Sequence, residues 1–197
     1  MTKWIKHVGY IPFWRRHDPK LQDKLRETIA MKWIEHIKKE PPKWMRNDPL
    51  IRNKHKETMA VLWIHHVKTD PPEWMRHDPT IKNDIDTIAM LWIKCIKTEP
   101  SEWMRHDPLI RNKFGKTMAF IWIENVATEP PEWMRHDPYL KNKEGNTLSM
   151  FWIRHIKTDP PEWIRHCPRI QNDRKYECIV FWKRYVKSKP PEWMIVR

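Results

Sequence analysis

All 14 Trp of this chain fall on two interleaved series. Trp14, Trp44, Trp74, Trp103, Trp133, Trp163 and Trp193 form one. Trp4, Trp33, Trp63, Trp92, Trp122, Trp152 and Trp182 form the other, and each series steps by 29 or 30 residues. A bulky residue recurring at this period marks a stacked-repeat architecture, in which each unit buries its apolar face against its neighbours. The repeat is expected to fill residues 1–197 as a single array with no linker. Recurring residues are then accounted for first by stacking, and function is to be sought where the units differ.

One unit, Asn53 to Asp78, shows the physics. The segment from Thr58 is apolar almost without break through Ile64 and again at Val67, as expected of a helix buried on several sides. Ala60, Trp63, Ile64 and Val67 fall at helical spacing as its core stripe. The small residue of this segment (Ala30, Ala60, Ala89, Ala119, Ser149) is expected to make room for the Trp of an adjacent unit. Asp70-Pro71-Pro72 ends the helix, because a residue before Pro is pushed out of the α region. Pro72 can open a second helix of about a turn and a half, with Glu73 in its first turn, and Asp78-Pro79 then starts a capped turn. The fold class is all-α: an α-solenoid of about six stacked helix–turn–helix units with a partial unit at the N-terminus.

The turn leading into the long helix carries a resemblance. Asn112-Lys113-Phe114-Gly115-Lys116-Thr117 and Asn142-Lys143-Glu144-Gly145-Asn146-Thr147 resemble the ankyrin turn that runs through Gly and Thr into the first helix. On that resemblance Thr28, Thr58, Thr87, Thr117 and Thr147 hold the place of the helix-capping Thr. The chain departs from the family where Met-Ala or Ile-Ala replaces the Pro and His after this Thr. A Trp also stands at a small-residue position, the unit is about three residues shorter, and only these two units keep the Gly. The resemblance implies ankyrin-like stacking and a binding scaffold, usually for proteins, that uses the turn tips and the exposed side of the first helix.

Catalytic and metal chemistry find little support. Of the 11 His, His17, His77, His106, His136 and His166 recur once per repeat. Residues stacked at one repeat position form a ladder, whereas zinc wants three or four ligands converging on a point. The series Arg16, Arg46, Arg76, Arg105, Arg135 and Arg165 beside Asp18, Asp48, Asp78, Asp107 and Asp137 reads as hydrogen bonding and ion pairing between repeats. Ser101, Ser149 and Ser188 replace recurrent residues, as do Cys95, Cys167 and Cys178, and none has the base and orienting group a nucleophile needs. No enzyme activity, cofactor or small-molecule substrate is expected. Three Cys at no metal spacing point to an intracellular compartment, and no apolar run reaches the roughly 20 residues of a bilayer span. The opening MTKWIKHVGYIPFW lacks the apolar stretch of a secretory signal. A soluble intracellular protein, cytoplasmic or organellar, is expected.

The net charge of +13 is unevenly spread. Residues 1–40 hold 10 Lys and Arg against 5 Asp and Glu, residues 163–197 hold 9 against 3, and the stretch between holds 19 against 17. A groove tracking a phosphate backbone should be basic in every repeat. The Trp series, nearly invariant within the repeat, are read as packing residues rather than as a base-stacking platform.

Variation within the repeat marks the candidate surface. Two positions past the helical Trp stand Glu35, His65, Lys94, Glu124, Arg154 and Arg184; next to them stand His36, His66, Cys95, Asn125, His155 and Tyr185. The turn tips vary as well: Lys24-Leu25-Arg26, Lys54-His55-Lys56, Asp84-Ile85-Asp86, Lys113-Phe114-Gly115, Lys143-Glu144-Gly145 and Arg174-Lys175-Tyr176. Apolar anchors amid charge are what an interface uses. The partner-binding candidates are Lys54, His55, Lys56, His65, His66, Lys94, Phe114, Lys116, Arg154, His155, Arg174, Lys175, Tyr176, Arg184 and Tyr185. The expected partner is a protein with an acidic or mixed surface, bound by a scaffold acting as adaptor or steric inhibitor. The alternative is an RNA- or DNA-binding helical repeat, or a ribonucleoprotein subunit, held through the basic ends.

Overall fold

A computed structural model describes residues 18–165 and 169–195. Trp4, Trp14, Arg16, His17, His166, Cys167 and the N-terminal partial unit lie outside the described residues. Six α-helices follow in order: α1 (Ile29–Ile37), α2 (Met59–His66), α3 (Ile88–Ile96), α4 (Met118–Asn125), α5 (Leu148–His155) and α6 (Cys178–Tyr185). Each is followed by one turn of 3-10 helix: Lys43–Met45, Glu73–Met75, Glu102–Met104, Glu132–Met134, Glu162–Ile164 and Glu192–Met194. The second helix is thus shorter than the spacing suggests. Pro72 is extended (φ −53°, ψ 149°) and only caps the turn, and Arg76 is extended again, so three residues are left to coil.

The helices begin where Thr can cap them. Thr28, Thr58 and Thr87 Oγ1 accept from the backbone N–H of Met31, Val61 and Met90, satisfying donors that a helix start leaves open. The helices end on a left-handed residue, which is Lys at Lys38, Lys68, Lys97, Lys157 and Lys187, and Ala at Ala127. The N–H of Lys68 and Lys187 closes the end onto the carbonyls of Trp63 and Trp182.

The residues gather into two compact units. The first holds the described residues up to Ile96 with Pro100–Arg105, and α1, α2 and α3 pack in sequence within it. The second holds Lys97–Glu99 and the residues from His106 onward, with α4, α5 and α6 in sequence. In the second unit Ala119, Phe120 and Ile123 of α4 bury against Leu148, Phe151 and Trp152 of α5 and against Ile164. Met150 and Ile153 then bury against Cys178, Phe181 and Trp182 of α6 and against Met194. Ala60, Trp63 and Ile64 are buried as expected, whereas Val67 is half-buried. At the small helical position Ala119 falls in one core cluster with Trp152 of the next repeat, and Ser149 also donates to the carbonyl of Ile164 in the 3-10 turn of its own repeat.

The two Trp series have different jobs. Helical Trp63, Trp122 and Trp152 are buried, and each donates its indole N–H to the Thr six residues on (Thr69, Thr128, Thr158) at 3.0–3.1 Å. Trp182 donates to the carbonyl of Ser188. Trp33 has Lys39 at that place, and its buried Nε1 has no partner.

Trp74, Trp103, Trp133, Trp163 and Trp193 are only half-buried. Their indole N–H donates to a carboxylate of the preceding repeat: Glu40, Asp70, Glu99, Glu129 and Asp159 respectively, at 2.6–2.9 Å. The same acids pair with Arg46, Arg76, Arg135 and Arg165, whose guanidinium groups lie 4.9–5.9 Å over Trp74, Trp103, Trp163 and Trp193. This corrects the expected Arg–Asp ladder. The Arg series ties repeats together, but through these acids and the next indole. Asp18, Asp48, Asp78, Asp107 and Asp137 instead cap the following turn, accepting from the backbone N–H two residues on.

Candidate functional site

Each tip is built around one Asn. The Oδ1 of Asn53 accepts from the N–H of His55 and Glu57, and Asn83, Asn112, Asn142 and Asn172 do the same in their repeats. Asp23 takes this role in the first. The chain turns through a left-handed residue: Arg26, Lys56, Gly115, Gly145 and Lys175. At Gly145 the need is twofold, since φ is +73° and a Cβ would run into the backbone and carboxylate of Asp173. Tips also join across repeats, with Lys54 N–H donating to Leu25 O and Lys143 N–H to Phe114 O. The tip at Asn83 is one residue shorter than its neighbours, which produces a 29-residue step; there Asn83 N–H closes onto Asp86 O.

This frame lifts the residue two past the Asn into solvent. Leu25, Ile85 and Phe114 occupy that position and are all exposed, Phe114 by 51%. A second exposed apolar row, Leu50, Leu109 and Tyr139, follows the Asp-Pro turns. The sequence reading passed over it, although variation at that position (Leu50, Thr80, Leu109, Tyr139) was a signal of the same kind.

The variable strip is paired within the repeat at three positions, while Glu35 of the first repeat meets a like charge, Glu27. Its residues face the position just before the helix cap: His65 lies 3.6 Å from Glu57, Lys94 2.5 Å from Asp86, and Glu124 2.8 Å from Lys116. The strip residue changes sign between Lys94 and Glu124, and its partner changes sign with it; the eight-residue spacing could have been read from the sequence. Lys116 also sits over the Phe151 ring. In the first unit Lys56 pairs with Asp84, Lys54 and His55 are exposed, and His66 is half-buried. His155 packs its ring 4.3 Å from Phe151 with a buried, unpartnered Nε2, and burial pushes its pKa down. Lys175 holds the left-handed position of the last tip.

Five candidates come together. Arg154, Arg174, Tyr176, Arg184 and Tyr185 line one cleft of about 460 Å³ in the second unit. Val180, Phe181 and Asn172, which the sequence reading did not single out, line it too. Arg154 reaches Glu144 at 3.6 Å, and the Arg184 guanidinium lies 5.6 Å from the Tyr185 ring.

Among the described residues, the repeat histidines His77, His106 and His136 are each tied to the backbone of the next Asp. His77 and His136 donate from Nδ1 to the carbonyl of the next Asp, and Nε2 accepts from the capping hydroxyls of Thr58 and Thr117. Burial pushes the His136 pKa below its ordinary 6.5. Cys178 is buried and pushed up to about 12, and burial raises Cys95 as well, so neither carries the thiolate a nucleophile needs.

No protein-family model and no curated protein matches the sequence. Solved structures do match it. The ankyrin repeat domain of Bcl-3, a unique member of the IkappaB protein family, aligns with 94% of this chain and 88% of its own at a TM-score of 0.54 and 14% identity. The chain has an ankyrin-like repeat fold. A chain of the complex between the predatory endopeptidase Bd0816 from Bdellovibrio bacteriovorus and immunity protein Bd3460 aligns with 77% of this chain and 86% of its own. Its TM-score is 0.50 at 16% identity. The capping Thr and the Gly-bearing tips of the ankyrin-like pattern stand where the resemblance placed them. Among the described residues no helix is long and apolar enough to cross a membrane.

Proposed function

We propose that this ankyrin-like chain is a protein-binding scaffold that acts by occupancy, as an adaptor or a steric inhibitor, through its tips and the exposed strip of its helices. The observation that carries the reading is the placement of Leu25, Ile85 and Phe114. Each is an exposed apolar side chain held up by a turn anchored on Asp23, Asn83 or Asn112 and surrounded by charge. That is the chemistry of an interface anchor with a polar rim. A chain of similar fold occurs in a complex of an endopeptidase with an immunity protein, which supports binding and blocking of a protein as a use for such an array.

The nucleic-acid alternative draws less support. Several of the cations a phosphate backbone would want are engaged within the protein: Lys94 with Asp86, Lys116 with Glu124, and Arg46, Arg135 and Arg165 with Glu40, Glu129 and Asp159. The test is affinity capture from native lysate with the intact chain and with Leu25, Ile85 and Phe114 replaced by Ser. A protein captured by the first and lost by the second, insensitive to nuclease and only weakly dependent on salt, is the expected result. Capture abolished by nuclease or falling steeply with salt would overturn it.

A further inference from the structure

We infer that the cleft of the last two repeats takes up carboxylate side chains from an acidic segment of the protein partner, an inference that rests on the protein-binding reading above. In three earlier repeats the strip residue meets a partner at the residue before the helix cap, His65 with Glu57, Lys94 with Asp86 and Glu124 with Lys116, whereas in the first Glu35 meets the like-charged Glu27. In the last two repeats the strip residues are Arg154 and Arg184, but the facing positions hold Asn146 and Tyr176. The acid that completes the pair is absent from both.

The two arginines respond differently. Arg154 reaches across to Glu144, with both side chains well exposed. Arg184 has no carboxylate partner among the described residues and lies against Tyr185 instead. Arg174 of the last tip adds a third guanidinium to the same cleft. Of the two acids of the lining, Glu144 is held by Arg154 and by Asn146 Nδ2, and the Asp173 carboxylate lies against Gly145.

A guanidinium presents planar, paired donors that match a carboxylate, and such charge-assisted bonds are about twice as strong as neutral ones. Beside them Tyr176 and Val180 are each 39% exposed and give the cleft an apolar wall. A volume of about 460 Å³ admits side chains of a linear segment. The occupant that fits is an Asp- or Glu-bearing segment with an apolar residue next to the acid.

The experiment measures fluorescence anisotropy of a labelled Glu/Asp peptide carrying one Tyr, titrated with the whole chain. The comparison probes are its Gln/Asn counterpart, inorganic phosphate and a short single-stranded oligonucleotide. Two variants carry the decision. Arg184→Gln removes the unpaired cation, and Tyr176→Glu supplies the missing acid from within the repeat. Each is expected to weaken the acidic peptide about tenfold or more, with Arg184→Lys retaining part of the affinity and the thermal midpoint of Tyr176→Glu unchanged or raised. Equal binding by both variants, displacement by phosphate at the same concentration as by peptide, or preference for the oligonucleotide would overturn the inference. If the peptide fails to bind while partner capture still depends on Leu25, Ile85 and Phe114, this inference falls and the protein-binding reading stands.

Discussion

Replacing Lys39 by Thr should stabilise the protein, although it trades a charged surface residue for a small one. Trp33 lies at a position where other repeats donate the indole N–H to a Thr six residues on, at 3.0 Å for Trp63, 3.0 Å for Trp122 and 3.1 Å for Trp152. Lys39 cannot accept, and Trp33 Nε1 is buried without a partner. A net intramolecular hydrogen bond is worth about 0.5–1.5 kcal/mol, and an unsatisfied buried donor costs about 1–3 kcal/mol. Lys39 is exposed, so its loss removes little packing. The expected gain is therefore about 1 kcal/mol. The reverse change, Thr128→Val, keeps the shape and strands the Trp122 donor, so it should cost a similar amount. Urea unfolding followed by circular dichroism reads both as opposite shifts of midpoint at constant slope. Hydrogen exchange of the α1 amides should slow in Lys39→Thr, since repeat stability is a sum of local and neighbour terms. Midpoints of both variants within about 0.3 kcal/mol of the parent would refute the claim that this bond carries net stability.

Three further outcomes follow from other parts of the structure. Lys94→Glu should destabilise by about 1–3 kcal/mol in chemical denaturation, more than a typical surface change, because it turns the partner of the buried Asp86 carboxylate into a like charge. Gly145→Ala should cost about 1–3 kcal/mol by the same measurement, from the left-handed backbone and the clash with Asp173. The His136 pKa is depressed, so the unfolded chain holds the proton more tightly; its contribution is present above the ordinary value of 6.5 and is lost as pH falls through the lower folded value. His136→Asn, the residue type found at Asn47, should therefore flatten the fall of thermal midpoint with acidification, and an unchanged slope would count against that assignment.

The helices were legible because their signals are local. Thr58 before an apolar run and Asp70-Pro71-Pro72 after it bound α2 without reference to the rest of the chain. The carboxylate partners were not, because Glu129 and Trp163 are 34 residues apart and meet only when one repeat is laid on the next. Adjacency in sequence favoured Asp137 for Arg135, and the fold put Asp137 to work capping its own turn instead. The strip was legible as variable, but its cause lies in pairs such as Asp86 and Lys94 that a column-by-column reading does not connect. The cleft gathers Arg154, Arg174 and Arg184 from two helices and a tip, a convergence that no single repeat position could show.

The carboxylate shared between an arginine of its own repeat and an indole of the next has a consequence for how such a chain can change its length. Every such joint presents a carboxylate, Glu or Asp, on one side and a Trp on the other, as at Glu40 and Trp74 or Asp159 and Trp193. Repeats joined this way share one bond: a copied or deleted block of one period recreates the carboxylate–indole contact. Such a gene can lengthen or shorten by unequal recombination while its product keeps folding, and the tips are left at liberty to diverge.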